Sequence, residues 1–298
     1  MIQLNIYSFF LSLFSLSISR IENSTVQFSH DIVMLMLKRI CSVSDWNRTK
    51  STFSDNSCSI GFVPTMGALH DGHLSLIESC ISQCDRTIVS IFVNPTQFGQ
   101  NEDFDSYPKT LDADIRLLEK LSVDVLLTPT TNDIYPHQSI GTTQISVPHI
   151  SQLYCGVTRP HFFDGVCSVV LRLFNIIQPT HAFFGEKDFQ QFVILKRMVK
   201  DLFLPISLHS IPIKRSPSGL ALSSRNSYLS PDQTEQASAI FQGLSSAKHA
   251  FLSGETRPSE LISMVKDRID SSGILIDYCS IVDSETLSSV RCATPGNR

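Results

Sequence analysis

The sequence has no excess of basic residues, no C-x-x-C cysteine pair, no Walker phosphate loop and no dinucleotide-binding glycine fingerprint. Each absence removes a class of function. Lys and Arg number 24 against 28 Asp and Glu, a formal net charge of −4. General nucleic-acid binders carry basic surfaces, so that class is excluded, although a local basic pocket for phosphates is not. The eight cysteines (Cys41, Cys58, Cys80, Cys84, Cys155, Cys167, Cys279 and Cys292) include no C-x-x-C pair. A structural zinc site is therefore not expected. A chain of 298 residues has no need of a disulfide framework, so the cysteines read as reduced, partly buried thiols of a cytoplasmic protein. No H-E-x-x-H pattern is present, and no protein metal ligand set is expected.

Charged residues are also scarce, 17% of the chain against a usual value of about 25%. Beyond the first twenty residues no apolar run reaches membrane length. The stretch Ile6 to Ile18 is apolar but rich in serine and too short for a comfortable span. Nothing basic precedes it, and no small-x-small cleavage site stands out. Residues 1–24 therefore read as a divergent extension, with a secretory signal or an organelle presequence left open. The sequons at Asn23 and Asn47 matter only if the chain is secreted.

What is present is ample apolar material, 42% of residues, enough for one large or two unequal domains. No internal repeat is visible. Residues 43–59 are polar and read as a loop. Ile60 to Pro64 reads as a short buried strand, Leu74 to Gln83 as a helix, and Thr87 to Val93 as a strand covered on both faces. Asp112 to Leu121 is helical and Val123 to Leu127 a further strand, with Ile145 to Val147 as a short edge strand. Val166, Val169, Val170, Leu173, Ile176 and Ile177 fall on one helical stripe. His181 to Gly185 then reads as a strand, Phe189 to Leu202 as a helix and Ile206 to Pro212 as a last strand. Strands alternating with helices predict an α/β fold with a parallel sheet between helical layers. Near residue 213 the character changes. Helices at Gln233–Ala250 and Pro258–Asp270 and a strand at Ile274–Val282 predict a smaller second unit.

Four segments could carry chemistry. The run Gly61-Phe62-Val63-Pro64-Thr65-Met66-Gly67-Ala68-Leu69-His70-Asp71-Gly72-His73 reads as strand, tight turn and helix start. His70 and His73 are three apart across the first helical turn, so both rings can face one ligand. The helix N-terminus adds unpaired N–H groups, and Gly72 would let a nucleotide approach the backbone. The bland alternative is two histidines at a helix cap. The second segment, Gly185-Glu186-Lys187-Asp188, sits where another strand gives way to a helix. Ligands of open α/β sheets collect at such carboxyl ends, which places Lys187 near His70 and His73. There Lys187 can grip phosphate and Asp188 a ribose hydroxyl; read alone, the segment is equally a capping charge cluster. The third, Ser223-Ser224-Arg225, supplies two hydroxyls and a permanent cation, a phosphate clamp if it is not simply a solvated loop. The fourth, Asn94-Pro95-Thr96-Gln97, could hold a small polar substrate through its two amides, or be a turn with proline at its corner.

These segments, with the runs SIFVNPTQFG, YPKTLDAD, LFNIIQPTHAFFGEKDFQQ and GLALSSRNSYLS in one order, resemble the pantothenate synthetase (pantoate–β-alanine ligase) family. The resemblance covers residues 60–230 almost continuously and reaches residue 290 more loosely. It implies a Rossmann-like nucleotidyltransferase fold of the HxGH type over residues 25–212, an α+β C-terminal lid over 213–298, and a homodimer. The implied reaction joins pantoate to β-alanine through a pantoyl adenylate, releasing AMP and diphosphate. By position, Met66 to His73 would line the ATP site, with His73 as catalytic histidine and His70 beside it. Gly185, Glu186, Lys187 and Asp188 would hold the nucleotide, with Lys187 on phosphate. Lys214 would touch adenine through its backbone, and Leu222, Ser223, Ser224 and Arg225 would close on the phosphates. Gln97 and Gln191, with Asn94 nearby, would hold pantoate or β-alanine. Magnesium would bridge the phosphates, with Asp114 as its one candidate protein contact. No nucleic acid or membrane partner is implied.

Two departures stand out. The family pattern R-P-G-H-F-x-G becomes Arg159-Pro160-His161-Phe162-Phe163-Asp164-Gly165, with the histidine one place early and no glycine before it. The sequence also ends where the family continues into a final apolar strand, so an unpaired edge or a cavity is expected in the lid. Two other readings stay open on the residues alone: a nucleotidyltransferase acting on a phosphate acceptor, and a non-catalytic or truncated relative.

Overall fold

A computed structural model of the protein describes residues 37–51, 58–99, 102–137 and 141–298. The extension 1–24, and the question of targeting attached to it, lie outside the described residues.

Six strands form one parallel sheet: β1 (Lys38–Ile40), β2 (Ile60–Thr65), β3 (Arg86–Ile91), β4 (Val125–Leu127), β5 (His181–Gly185) and β6 (Ser207–Ile211), in the spatial order β1-β4-β3-β2-β5-β6. Helices α1 (Val43–Lys50), α2 (Asp71–Gln83), α3 (Leu111–Lys120), α6 (Phe162–Ile177) and α7 (Phe189–Asp201) cover its faces, with short turns α4 (Thr131–Ile134) and α5 (Cys155–Thr158) between them. Alternation along the strands sorts the core into two layers. Val63, Val89, Leu126 and Phe183 pack with Leu76, Ile77, Ile115 and Leu118 of α2 and α3. Phe62, Ile88, Val125, Leu127, Ala182 and Phe184 pack on the other face with Trp46, Phe174, Ile177 and Ile194 of α1, α6 and α7.

The order of connection reverses beside β2, whose neighbours are β3 on one side and β5 on the other. Pro64 lies inside β2, where the proline was expected to end the strand. Backbone groups of a parallel strand point alternately to its two neighbours. The Thr65 carbonyl accepts from Phe92 on the β3 side, and the Ile60 carbonyl accepts from Thr180 on the β5 side. Pro64, four residues after Ile60, therefore directs its missing N–H toward β5. Pairing of β2 with β5 stops at Phe62↔Ala182, whereas pairing with β3 runs on to Thr65↔Ile91. The proline costs no ladder bond, because β2 and β5 have already parted.

Other elements depart from the sequence reading. The 43–59 loop contains α1, started by Ser42, whose hydroxyl accepts from the Asp45 N–H. Trp46 anchors this helix, fully buried with its indole N–H 2.8 Å from the Ile176 carbonyl. Strand β1 was not anticipated; it is three residues long with only Ile40 buried, too short to show a period. Ile145–Val147 is not a strand. The Ile145 N–H bonds the Ser168 hydroxyl of α6 instead, and β1 and β6 are the sheet edges.

Beyond β6 a third apolar cluster draws only on residues from 220 onward, chiefly Ile240, Leu244 and Ala247 of α8 (Pro231–Leu252) and Leu261, Val265 and Ile269 of α9 (Pro258–Asp270). The expected strand Ile274–Val282 is extended chain with a single bridge, Val282↔Ser289. Alternation from Ile274 to Ile276 is real, but no neighbouring strand lies beside it to complete a ladder. A small cavity between the helices and this segment is lined by Leu244, Leu261, Val265 and Cys279.

Truncating Trp46 removes a fully buried ring and leaves the Ile176 carbonyl without that donor. Trp46→Ala should lower unfolding free energy by about 3–5 kcal/mol, read as an earlier denaturation midpoint in urea. An unchanged midpoint would mean that α1 is not part of the cooperative core.

Candidate active site

The turn after β2 is shaped by backbone conformation. Gly67 and Ala68 have φ of +84° and +49°, so two successive residues are left-handed. Left-handed alanine is costly unless something holds it. Asp114 does so from α3. Its carboxylate is 1% exposed and accepts from the Ala68 N–H at 3.0 Å, the Leu69 N–H at 2.9 Å and the Thr110 hydroxyl at 3.2 Å. Its oxygens are engaged with the turn, and it shapes that turn from α3.

The turn delivers His70 to the N-cap of α2. Its Nδ1 accepts from the Gly72 N–H at 3.1 Å, and the His73 Nδ1 accepts from the His70 N–H at 3.4 Å. Two imidazoles thus form the reciprocal cap that Ser and Glu usually make. Because both Nδ1 atoms accept, both protons sit on Nε2. The rings stack at 4.1 Å between centroids. A methyl at Gly72 would come within 2.8 Å of the His70 ring, so this glycine makes room for the histidine itself, where the sequence suggested room for a nucleotide. Burial, then the neighbouring His70 and Lys187, push the His73 pKa down to about 3, and burial followed by Lys187 lowers that of His70. Both imidazoles are neutral donors at physiological pH.

Lys187 belongs to the Glu186–Asp188 turn between β5 and α7, which lies across the gap from β2. Its ammonium is 3.1 Å from the Asp188 carboxylate. Glu186 is otherwise occupied: Arg298 donates to it at 3.1 Å and the Ser210 hydroxyl at 3.3 Å. Gly185 ends β5 in extended conformation, and Asp71 opens α2 beside His70.

The loop from the C-terminal unit reaches the same place. The Ser224 hydroxyl donates to the Ala68 carbonyl at 3.1 Å, joining that loop directly to the histidine turn. Ser223 caps its own turn by accepting from the Arg225 N–H at 3.3 Å. Lys214 receives the Leu222 N–H on its backbone carbonyl at 2.9 Å, which closes the loop at its base. Arg225 is held by Asp103, which the sequence reading did not single out.

The amide loop lies on the other side of the turn. Gln97 donates to the Met66 sulfur at 3.1 Å and accepts from the Asn94 amide at 3.0 Å, so the loop adjoins the histidine segment. Asn94 is 1% exposed, and its amide also bonds the Gly165 carbonyl, the Thr96 hydroxyl and the Tyr135 hydroxyl. Its amide bond to Gln97 positions that side chain. Gln191 is half-buried on α7, next to Gln190, which is buried and bonds the Ile150 and Leu153 carbonyls. Sequence reasoning missed Glu102, which pairs with Arg159 of the altered segment while Arg159 donates to the Gln97 carbonyl at 3.3 Å. In a polar run such acids read as solvated charge.

Residues 36–296 match the profile of the family described as Pantoate-beta-alanine ligase. A pantothenate synthetase of Magnetococcus marinus is 48% identical over 76% of this chain and 79% of its own. Among solved structures, pantothenate synthetase from Thermus thermophilus superposes with a TM-score of 0.82 at 35% identity, over 88% of this chain and 92% of that one. Pantoate-beta-alanine ligase from Francisella tularensis, solved with beta-gamma ATP and beta-alanine, gives 0.67 at 37% identity over 78% and 86%.

The depressed imidazole pKa has a consequence for stability. Folded His73 binds fewer protons than the unfolded chain between about pH 3 and pH 6.5, so stability is full above that window and is lost as pH falls through it. Between pH 6.5 and 5 the His73 contribution should be on the order of 2 kcal/mol. His73→Asn should therefore lose less stability than the wild type over that interval in urea denaturation; parallel losses would show that His73 is protonated normally in the fold.

Proposed function

The chain belongs to the pantoate-beta-alanine ligase family, and on that premise we propose how its cleft condenses pantoate with β-alanine, using ATP, to form pantothenate, AMP and diphosphate. The observation that carries the site assignment is convergence. Segments near residues 70, 97, 187 and 224 meet where β2 and β5 part, although 154 positions separate His70 from Ser224.

The first step joins a pantoate carboxylate oxygen to the α-phosphorus and breaks its bond to diphosphate. Two anions must be brought together and the departing charge accepted. The chain supplies positioning and preorganised donors. His70 and His73 donate through Nε2–H without carrying charge of their own. Lys187 and Arg225 supply the cationic charge, and Ser223 and Ser224 add hydroxyls. Gly185 to Asp188, Lys214 and Leu222 frame the nucleotide, while Gln97 and Gln191 orient pantoate. In the second step the amine of β-alanine attacks the acyl carbon and AMP leaves. We assign residues 213–298 as a lid that keeps water from the mixed anhydride meanwhile.

Magnesium fits as an ion carried by the phosphates and water. Among the described residues no group of three or more His, Cys, Asp or Glu forms a protein cage, and magnesium commonly retains several waters beside phosphate. Asp188 is the residue that would accept from such a water. Bound there, the ion would neutralise phosphate charge. We further take the protein to be a cytoplasmic homodimer. The dimer follows from the family resemblance. The compartment is supported by eight free thiols, and no helix among the described residues is long and apolar enough to cross a membrane.

The test is AMP release with ATP, pantoate and β-alanine, omitting each in turn. Release should require all three, and pantoate-independent release would refute the assignment. His73→Ala should slow release by about 10²–10³-fold with the fold retained; wild-type turnover would remove His73 from the mechanism. Gln97→Ala should chiefly raise the KM for pantoate. A rise in the KM for ATP alone would displace that loop from the acid's site.

A further inference from the structure

Arg225 is held in a particular way. Its Nε donates to one Asp103 oxygen at 2.9 Å and its Nη2 to the other at 2.8 Å. That fork occupies one side of the guanidinium. Of the five N–H donors, both on Nη1 and the second on Nη2 make no further hydrogen bond among the described residues. The Tyr228 hydroxyl donates to Asp103 at 3.0 Å, so the carboxylate is fixed from two directions. Phe98 and Tyr107 flank the guanidinium at 5.9 and 5.6 Å. Hydrogen bonding from Arg225 holds the Asp103 carboxyl below the usual carboxylate range, so the pair is ionised at neutral pH.

The loop bearing Asp103 is anchored by its neighbour. Glu102 pairs with Arg159, whose Nη2 also donates to the Gln97 carbonyl. Two consecutive acids therefore hold two arginines, one beside the pantoate loop and one from the C-terminal loop.

We propose that Asp103 is a positioning residue for adenylate formation: it grips Arg225 by the Nε–Nη2 edge and presents the Nη1 end to the triphosphate. This rests on the reading of Arg225 as a phosphate clamp. A free arginine side chain samples many rotamers, and fixing one before ATP arrives removes that cost from the reaction. The opposite relation, in which Asp103 competes with phosphate for Arg225, predicts that removing the carboxylate strengthens ATP binding.

The experiment is pantoate-dependent exchange of labelled diphosphate into ATP by Asp103→Ala, Asp103→Asn, Arg225→Ala and the double alanine variant, with melting temperature measured on each. Asp103→Ala should lower kcat for exchange by roughly 10–100-fold, the scale for loss of a residue that orients a ligand-binding group. The pantoate KM should hold within about twofold, and Asp103→Asn, which keeps one acceptor, should lose less. The double variant should match Arg225→Ala alone, because the two residues act as one unit. Losses that multiply in the double variant would overturn the proposal while leaving the clamp intact. So would tighter ATP binding or faster exchange by Asp103→Ala. Exchange at the wild-type rate by Arg225→Ala would overturn the clamp reading itself and this inference with it.

Discussion

The site depends on the separation of two adjacent strands. While β2 and β5 are hydrogen-bonded there is no room for a ligand between their ends; after Phe62 they part, and a crevice opens at the reversal of strand order. Pro64 fits this constraint, because its ring replaces a donor that would otherwise point into the gap. The Met66–Leu69 turn leaves one lip of the crevice and the Glu186–Asp188 turn leaves the other. Asp114 then fixes the first lip by accepting from two consecutive backbone amides, which lets Ala68 remain left-handed. Remove the divergence and His70, Lys187 and the docking point for Ser224 have no common space to face.

Within that space, charge is divided by environment. The histidines are half-buried, and desolvation keeps them neutral. Buried cations at these positions would carry a large desolvation penalty, which neutral N–H donors avoid. The cations of the cleft are Lys187 and Arg225, whose side chains are 38% and 43% exposed and each paired with an aspartate. On the proposed function, a polyanion entering the cleft meets neutral N–H donors inside and, at the mouth, cations that aspartates hold in place. This arrangement favours charge that develops in the reaction over charge already present in the ground state.

Much of this was legible in the sequence, for identifiable reasons. The alternation of β-branched runs and helical stripes exposed every strand of the sheet except β1. The long runs around His70, Gln97, Lys187 and Ser223 marked the site. What stayed hidden lacked a periodic signal. β1 is too short for one, and α1 was masked by polar residues around the single anchor Trp46. Ile274–Val282 had the strand pattern but pairs only at Val282, since pairing is a tertiary event. Asp114 could be seen only as a candidate magnesium contact, and Glu102 and Asp103 only as acids. Their partners lie 45, 57 and 122 positions away, and distance along the chain gives no hint of such pairings.

The altered segment after Arg159 shows how such a site tolerates change. His161 takes φ of +69° at the start of α6, a conformation that suits glycine and costs another residue about 1 kcal/mol. Its side chain is 88% exposed and makes only a 3.8 Å approach to Asp164. The contacts that matter lie on either side of it. Arg159 reaches the Gln97 carbonyl, and its guanidinium sits 3.7 Å from the Phe162 ring centroid. Gly165 lies so close to the Thr96 carbonyl that a methyl would approach to 2.3 Å, and its own carbonyl receives the Asn94 amide. The loop bearing Asn94 and Gln97 is thus braced by Arg159 and Gly165, both retained, while the histidine occupies a surface turn. The substitution strains the backbone locally and leaves the bracing of Gln97 in place.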